Sequence, residues 1–280
     1  MTAQGASGGE VGRFYDANTW QFLLFGSGQA IHRELYPPGV KNRAAALAQA
    51  HALVAVELDL TGGRAGSRVL DLGCGVGAGA RYLAAATGAA VHGVTISPRQ
   101  VALARRFAAH DPAAGLVTFA EADFCDLPDE LTGFDLAYSI EAFVHAPSAA
   151  QYFTGASRAL RPGGRLVVID DVLTAAGAAS ATEPPVRTAR DGWHLQSLLT
   201  VEQISALAAA SGLELIADRD LSAYQRLGRP RDRVIRRAQP LLRRLAPHNR
   251  WCQMLVGGDA LQASHQQGLL GYHELVFVRR

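Results

Sequence analysis

The feature that most constrains this chain is an alternation of short β-rich runs with amphipathic segments of helical period, running from Ser67 almost to the last residue. "SRVLDLG" reads as a first strand, followed by a glycine-rich turn and a helix from about 77 to 87. "AVHGVTI" is a second strand with "PRQVALARRFAAH" as its helix, "VTFAEAD" a third, "FDLAYSI" a fourth and "RLVVIDDVL" a fifth. "AAQYFTGASRAL" is the helix between the last two. Strands separated by such helices form right-handed βαβ units, which predicts an α/β fold with a mostly parallel sheet covered on both faces. "TVEQISALAAASG" adds a helix and "LELIADRDLS" a sixth strand. "YHELVFVRR" is a seventh strand, returning after an insertion at about 223–270 and pairing most simply as an antiparallel partner at the sheet edge.

Ahead of this core, "NRAAALAQAHALVAVELDL" (42–60) predicts a strong helix stopped by Gly62-Gly63. Phe14, Tyr15, Phe22 and Phe25 suggest another, aromatic helix nearer the start. Residues 1–60 are therefore read as a tail and helical lid segment, and 61–280 as one domain with lid insertions at about 174–200 and 223–270. Within the first insertion, "TAAGAASATEPP" reads as a mobile loop. With 49% hydrophobic and 19% charged residues and a formal charge of +2, the composition calls for neither nucleic acid nor a membrane surface. No apolar run has the length of a membrane span, and "MTAQGASGGE" lacks the character of a signal peptide. Cys74, Cys125 and Cys252, without a CxxC, argue against a disulfide framework or a structural zinc site and fit a reducing cytoplasm.

"VLDLGCGVGAG" sets Asp71, Gly73, Gly75 and Gly77 just past the first strand. Alternating glycines let the backbone approach a ligand closely, and the next helix offers free N–H groups, so a cofactor crevice is expected at the carboxyl end of the sheet. "GCGVGA" also satisfies the loose dinucleotide pattern G-x-G-x-x-G/A, which keeps a nicotinamide or flavin enzyme open. Against it stand the absence of a carboxylate in "GVTIS", the placement of Asp71 two residues before the first glycine, and the returning seventh strand.

Together "VLDLGCGVG", "VTIS..Q", "EADFCDLP" and "RALRPGGRLVVID" resemble the class I S-adenosylmethionine-dependent methyltransferases, over about residues 60–280. The resemblance implies a Rossmann-like, seven-stranded, mostly parallel sheet with an antiparallel last strand, an N-terminal helical extension and an insertion between strands six and seven. It implies S-adenosyl-L-methionine as cofactor, with Asp71, Gly73, Cys74, Gly75 and Gly77 at its methionine part. Thr95, Ile96 and Gln100 would surround ribose and adenine; Thr95 departs from the family's usual acid there. Asp123 would accept from the exocyclic amine, with Phe124 near the ring. Gln100 is equally readable as a solvated helix residue.

"SIEAFVHAP" resembles the stretch after strand four in sterol C-methyltransferases and their bacterial isoprenoid relatives. Methyl attack by an isolated alkene leaves a tertiary carbocation, which calls for aromatic faces and a carboxylate that stabilises it and removes a proton. Glu141, among Ile140, Ala142, Phe143 and Val144, is the candidate base and also lies at the cofactor; poor solvation there would raise its affinity for a proton. The alternative is a helix-start glutamate facing the dipole. His145, at helical spacing from Glu141, is read either as acid/base or as a capping and orienting group. Tyr15, Phe22, Phe25, Trp193 and His194 are expected at a hydrophobic acceptor, although aromatic residues are as often core.

No DDxxD-type motif is present, and Asp170-Asp171 should point to opposite sides of strand five, so no metal is expected, Mg2+ entering only with a diphosphate acceptor. His32, Arg33, Lys41 and Arg43 are the basic groups available to one. The arginines between Arg226 and Arg244 read as a solvated face or a subunit contact. The N-terminal helix packs over its own pocket or crosses to a neighbour, which allows a homo-oligomer. Carbon methylation of an isoprenoid leads; O- or N-methylation of an aromatic, polyketide or sugar acceptor, the nicotinamide oxidoreductase, and a non-catalytic binding module remain as alternatives.

Overall fold

The structure, a computed structural model, describes residues 32–63, 65–229, 237 and 250–280. The expected aromatic helix with Tyr15, Phe22 and Phe25 lies outside the described residues. Helix α1, Arg43–Leu60, starts where the Asn42 side chain accepts from the Ala45 N–H, satisfying one of the free donors of its first turn. It buries Ala46, Ala50, Val54 and Leu58 against the sheet, so this segment is one of the layers around the core.

The βαβ series follows: β1 Arg68–Leu72, α2 Ala78–Thr87, β2 Ala90–Thr95, α3 Pro98–Ala108, β3 Val117–Glu121, β4 Phe134–Ile140, α4 Ala149–Ala159 and β5 Leu160–Leu173. Ser97 and Ser148 cap α3 and α4 by accepting from Gln100 N–H and Gln151 N–H, and Pro98 opens α3, where its missing N–H costs nothing. Beyond the sheet's carboxyl end come α5 Ala175–Ala179 and α6 Val186–Trp193. The segment expected as a loop at 174–185 thus contains a helix, capped by Thr174 Oγ1 accepting from Gly177 N–H at 3.1 Å. Helix α7, Val201–Ala210, opens with a reciprocal Thr200/Gln203 capping box; β6 Leu213–Asp220, α8 Arg250–Gln266 and β7 Leu270–Arg279 complete the described chain.

The seven strands lie in the order β3-β2-β1-β4-β5-β7-β6. The first five are mutually parallel, and β7 is antiparallel to both neighbours. This corrects the expected edge position of β7, which is inserted between β5 and β6. The physical reason is burial: Leu275, Val276 and Phe277 are consecutive buried residues that need cover on both faces, whereas β6 exposes Asp218, Arg219 and Asp220, as an edge strand tolerates. The Pro162-Gly163-Gly164 turn lies within β5, where the pairing with β4 slips from Phe134↔Leu160 to Leu136↔Arg165.

Alternation divides the core. Val69, Leu136, Tyr138, Val167, Ile169 and Tyr272 face the layer of α1, α2 and α3, while Leu70, Ala137, Leu166, Val168 and Val172 face α4 and α7. Asp171 follows the first set and Asp170 the second, so the two carboxyls do point to opposite sides, both buried.

Candidate active site

The turn after β1 is made of backbone. Gly73, Gly75 and Gly77 have φ of 89°, 53° and 77°, conformations that L side chains rarely adopt. The N–H groups of Gly73 and Cys74 both donate to the Val94 carbonyl at 2.9 Å, tying the turn to β2. A Cβ at Gly73 would stand 2.6 Å from the Ala142 Cβ and 3.7 Å from Phe124 Cε1. The turns after β1, β3 and β4 therefore converge on one crevice, whose narrowest point only glycine fits.

Asp71 lies buried beneath this turn and accepts from the Tyr138 hydroxyl at 2.7 Å; burial pushes its carboxyl up to about 7, against the effect of that hydrogen bond. A carboxyl poised this way gains from a cationic ligand, which fits the ammonium of a methionine group. Cys74 contributes backbone alone: its side chain packs on Gly93 and Phe119, and burial followed by the Asp71 charge holds the thiol well above its ordinary range. Thr95 and Gln100 are both buried and joined by a hydrogen bond from Thr95 Oγ1 to Gln100 Oε1 at 2.7 Å, so Gln100 is not a solvated helix residue. Ile96 is half-buried beside them. Asp123 Oδ1 accepts from Cys125 N–H at 2.8 Å, and Phe124 sets its ring edge-on to Tyr152 at 5.5 Å. The cradle, the buried carboxyl and the polar pair together fit S-adenosylmethionine.

Glu141 follows β4 directly, with φ at 50° and its N–H donating to the Ile169 carbonyl at 2.9 Å. The reversal places the next turn, Phe143–His145, in a 3-10 helix, so Glu141 and His145 do not stack on one helix as their spacing suggested. Nor does Glu141 sit among apolar neighbours alone. Its Oε1 accepts from the backbone N–H of Arg33 at 2.7 Å and from the Tyr272 hydroxyl at 2.9 Å, with Arg33 Nε at 3.8 Å. The Arg33 guanidinium is held by both oxygens of Asp171 and lies 3.0 Å from His265 Nε2, which meets Asp171 Oδ1 at 2.8 Å. Burial alone would lower the Arg33 pKa, but Asp171 and Glu141 outweigh it and raise it; the same pairing holds Asp171 below the carboxylate range despite its burial. Asp170, accepting from Val144 N–H at 3.0 Å, is driven well upward by burial and by the Asp171 charge.

His145 is buried, with backbone groups of Trp193 and His194 against it; burial lowers it to about 4, so its imidazole is neutral near pH 7. Trp193 ends α6 and packs on Gly257 and Gly258 of α8, its indole N–H donating to the Met254 carbonyl at 3.1 Å. His194 caps α6 at φ 53°. These residues join two helices beside the carboxyl end of the sheet, which gives Trp193 a packing partner in α8. Arg33 and Arg43, offered for a diphosphate, are engaged by carboxylates, Arg43 by Glu34 at 2.7 Å. The segment carrying Arg33 is pinned to α1 by His32 Nε2 at 3.1 Å from His51 Nε2. Sequence reasoning passed over Tyr138, Tyr272, His51 and His265. Among the described residues, no group of three or more His, Cys, Asp or Glu is placed to hold a metal ion.

Residues 69–164 match a family model described as a methyltransferase domain. A 24-methylenesterol C-methyltransferase from rice, Oryza sativa subsp. japonica, is 34% identical over 76% of this chain and 58% of its own length. The 27-O-demethylrifamycin SV methyltransferase of Amycolatopsis mediterranei is 33% identical over 58% of this chain and 60% of its own. The chain thus spans about three fifths of the length of each of these relatives. Among solved structures, the geranyl diphosphate C-methyltransferase of Streptomyces coelicolor A3(2) superposes with a TM-score of 0.72 at 16% identity, over 100% of both chains. That likeness is one of fold.

Proposed function

We propose, from the premise that the chain carries a class I S-adenosylmethionine-dependent methyltransferase domain, that it methylates carbon at an isoprenoid or prenyl-chain double bond of a small hydrophobic metabolite. S-Adenosylmethionine supplies an electrophilic methyl on a sulfonium, so the remaining demands are alignment and the handling of one proton. Asp71, Gly73, Gly75, Gly77, Thr95, Ile96, Gln100, Asp123 and Phe124 bind and orient it. The acceptor's π electrons would form the new carbon–carbon bond as the methyl–sulfur bond breaks and its electron pair stays on the sulfur of the departing S-adenosylhomocysteine, leaving positive charge on the neighbouring carbon. Glu141 stabilises that charge and takes a proton from the adjacent carbon, whose C–H electrons close a new double bond.

The carrying observation is the placement of Glu141: it directly precedes Ala142, the residue that closes the crevice at Gly73, and only its Oε1 is occupied by hydrogen bonds among the described residues. The sterol C-methyltransferase relative supports the same reading. The rifamycin relative favours a second one, O-methylation, in which alignment and removal of a hydroxyl proton suffice. His145, neutral and buried, serves as an orienting group in either. The methyltransferase match sets the nicotinamide alternative aside.

Replacing Glu141 by Gln removes the base and keeps the shape. Turnover on the true acceptor should fall by roughly 10²–10⁴-fold while S-adenosylmethionine binding by calorimetry stays within about twofold. Near-normal turnover would remove Glu141 from the role.

A further inference from the structure

Glu141 is held from three directions. Its backbone, at a positive φ that costs a side-chain-bearing residue about 1 kcal/mol or more, is tied to Ile169 of β5. Its Oε1 takes two donors, one from Arg33 N–H at 2.7 Å and one from Tyr272 at 2.9 Å. Tyr272 is itself fixed: fully buried, it stands opposite Asp171 in the β5–β7 ladder, its N–H donates to Ser222 Oγ at 2.9 Å, and its carbonyl accepts from Leu221 at 2.7 Å. The Arg33 guanidinium lies over its ring, 4.9 Å from the centroid. Burial and the Glu141 charge keep the phenol protonated far above neutral pH, so its hydrogen is always available to the carboxylate.

We propose that Tyr272 is a positioning residue: with the Arg33 N–H it holds Oε1 of Glu141, and so turns Oε2 toward the acceptor. The inference rests on the base role assigned to Glu141. The ladder sets the geometry, since a residue opposite Asp171 shares its face and comes from the closing strand, which lies between β5 and β6. The charged and titratable groups around Glu141 are Arg33 from the segment before α1, Asp170 and Asp171 from β5, His265 from α8 and Tyr272 itself. Of these, Tyr272 and Arg33 alone touch the carboxylate among the described residues.

The test uses full-length protein labelled with 13C-carboxyl glutamate, the Glu141 signal being assigned by its loss in Glu141→Gln. In Tyr272→Phe, which keeps the ring and loses the donor, the Glu141 carboxyl 13C resonance at pH 7 should move from its position in the unaltered chain, because one of the two hydrogen bonds to Oε1 is gone. Site-specific 3-fluorotyrosine at 272, a stronger donor of nearly unchanged shape, should shift it the other way, and serves if the phenylalanine variant does not fold. Single-turnover methyl transfer by Tyr272→Phe, measured on whichever of geranyl diphosphate, a sterol with a side-chain alkene or a prenylated phenol accepts label, should slow by about ten- to a hundredfold, with S-adenosylmethionine affinity unchanged. A Glu141 resonance unmoved in both variants overturns the inference. An inactive Glu141→Gln beside an unmoved Tyr272→Phe sinks this inference alone, whereas an active Glu141→Gln sinks the base role on which it rests.

Discussion

Whereas the crevice after β1 is shaped by backbone, with three glycines at positive φ over one buried carboxyl, the cluster around Glu141 is assembled from side chains that five separate segments deliver: Arg33, Glu141, Asp171, His265 and Tyr272. The first is a matter of space, and any added atom obstructs it. The second is a matter of charge, in which two carboxylates share one guanidinium and one of them, Glu141, also takes the Tyr272 hydroxyl, so it should respond to pH and to the loss of single hydrogen bonds. One site therefore contains a rigid half and a tunable half.

The sharpest way to break the rigid half is Gly73→Ala. With φ at 89° and the new Cβ placed 2.6 Å from that of Ala142, the substitution strains the turn and displaces the residue before the 3-10 helix. S-Adenosylmethionine affinity by calorimetry should drop by about a hundredfold or more. An unchanged affinity would show that the turn is not the cradle.

Asp71 joins the two halves, because it is a charge placed under the backbone crevice. Its carboxyl, raised to about 7, is largely protonated below that pH and ionised above it. A cationic ligand end prefers the ionised form, so binding should release a proton near pH 7 and weaken by up to about tenfold per unit as pH falls below it. Asp71→Asn should bind about ten- to a hundredfold more weakly at pH 8 and lose this pH dependence. Calorimetry in buffers of different ionisation enthalpy measures both.

Part of the rigid half was legible from residue order: "VLDLGCGVGAG" specifies strand, turn and helix within a few residues, whereas Thr95, Gln100 and Phe124 entered only through the family resemblance. The tunable half was not legible, because its contacts are long-range: Arg33 meets Glu141 and Asp171 more than a hundred positions away, and Tyr272 reaches Glu141 from the last strand. The position of β7 was misjudged for a related reason. Its consecutive buried residues marked an interior strand, but chain order alone suggested an edge. The helical spacing of Glu141 and His145 misled because a positive φ at Glu141 ends the regular pattern.

The mildest of these tests addresses the tunable half through stability. Arg33→Met leaves Asp171 buried with His265 as its remaining partner, and should destabilise the fold by about 1–3 kcal/mol near pH 7. Asp171 is held below the carboxylate range, so the stabilisation it gives is present above about pH 4 and is lost as pH falls through its folded value. The gap between the two proteins in denaturant unfolding should therefore narrow on acidification. A gap that widens would contradict the pairing.

The central claim is carbon methylation at an alkene, and the direct measurement is transfer of a CD3-labelled methyl to a panel of geranyl diphosphate, a sterol with a side-chain double bond, a prenylated indole and a prenylated phenol, with the labelled atom located by NMR. The account predicts label on an alkene carbon with one acceptor proton lost to solvent. Label on oxygen or nitrogen, with the double bond untouched, would contradict it.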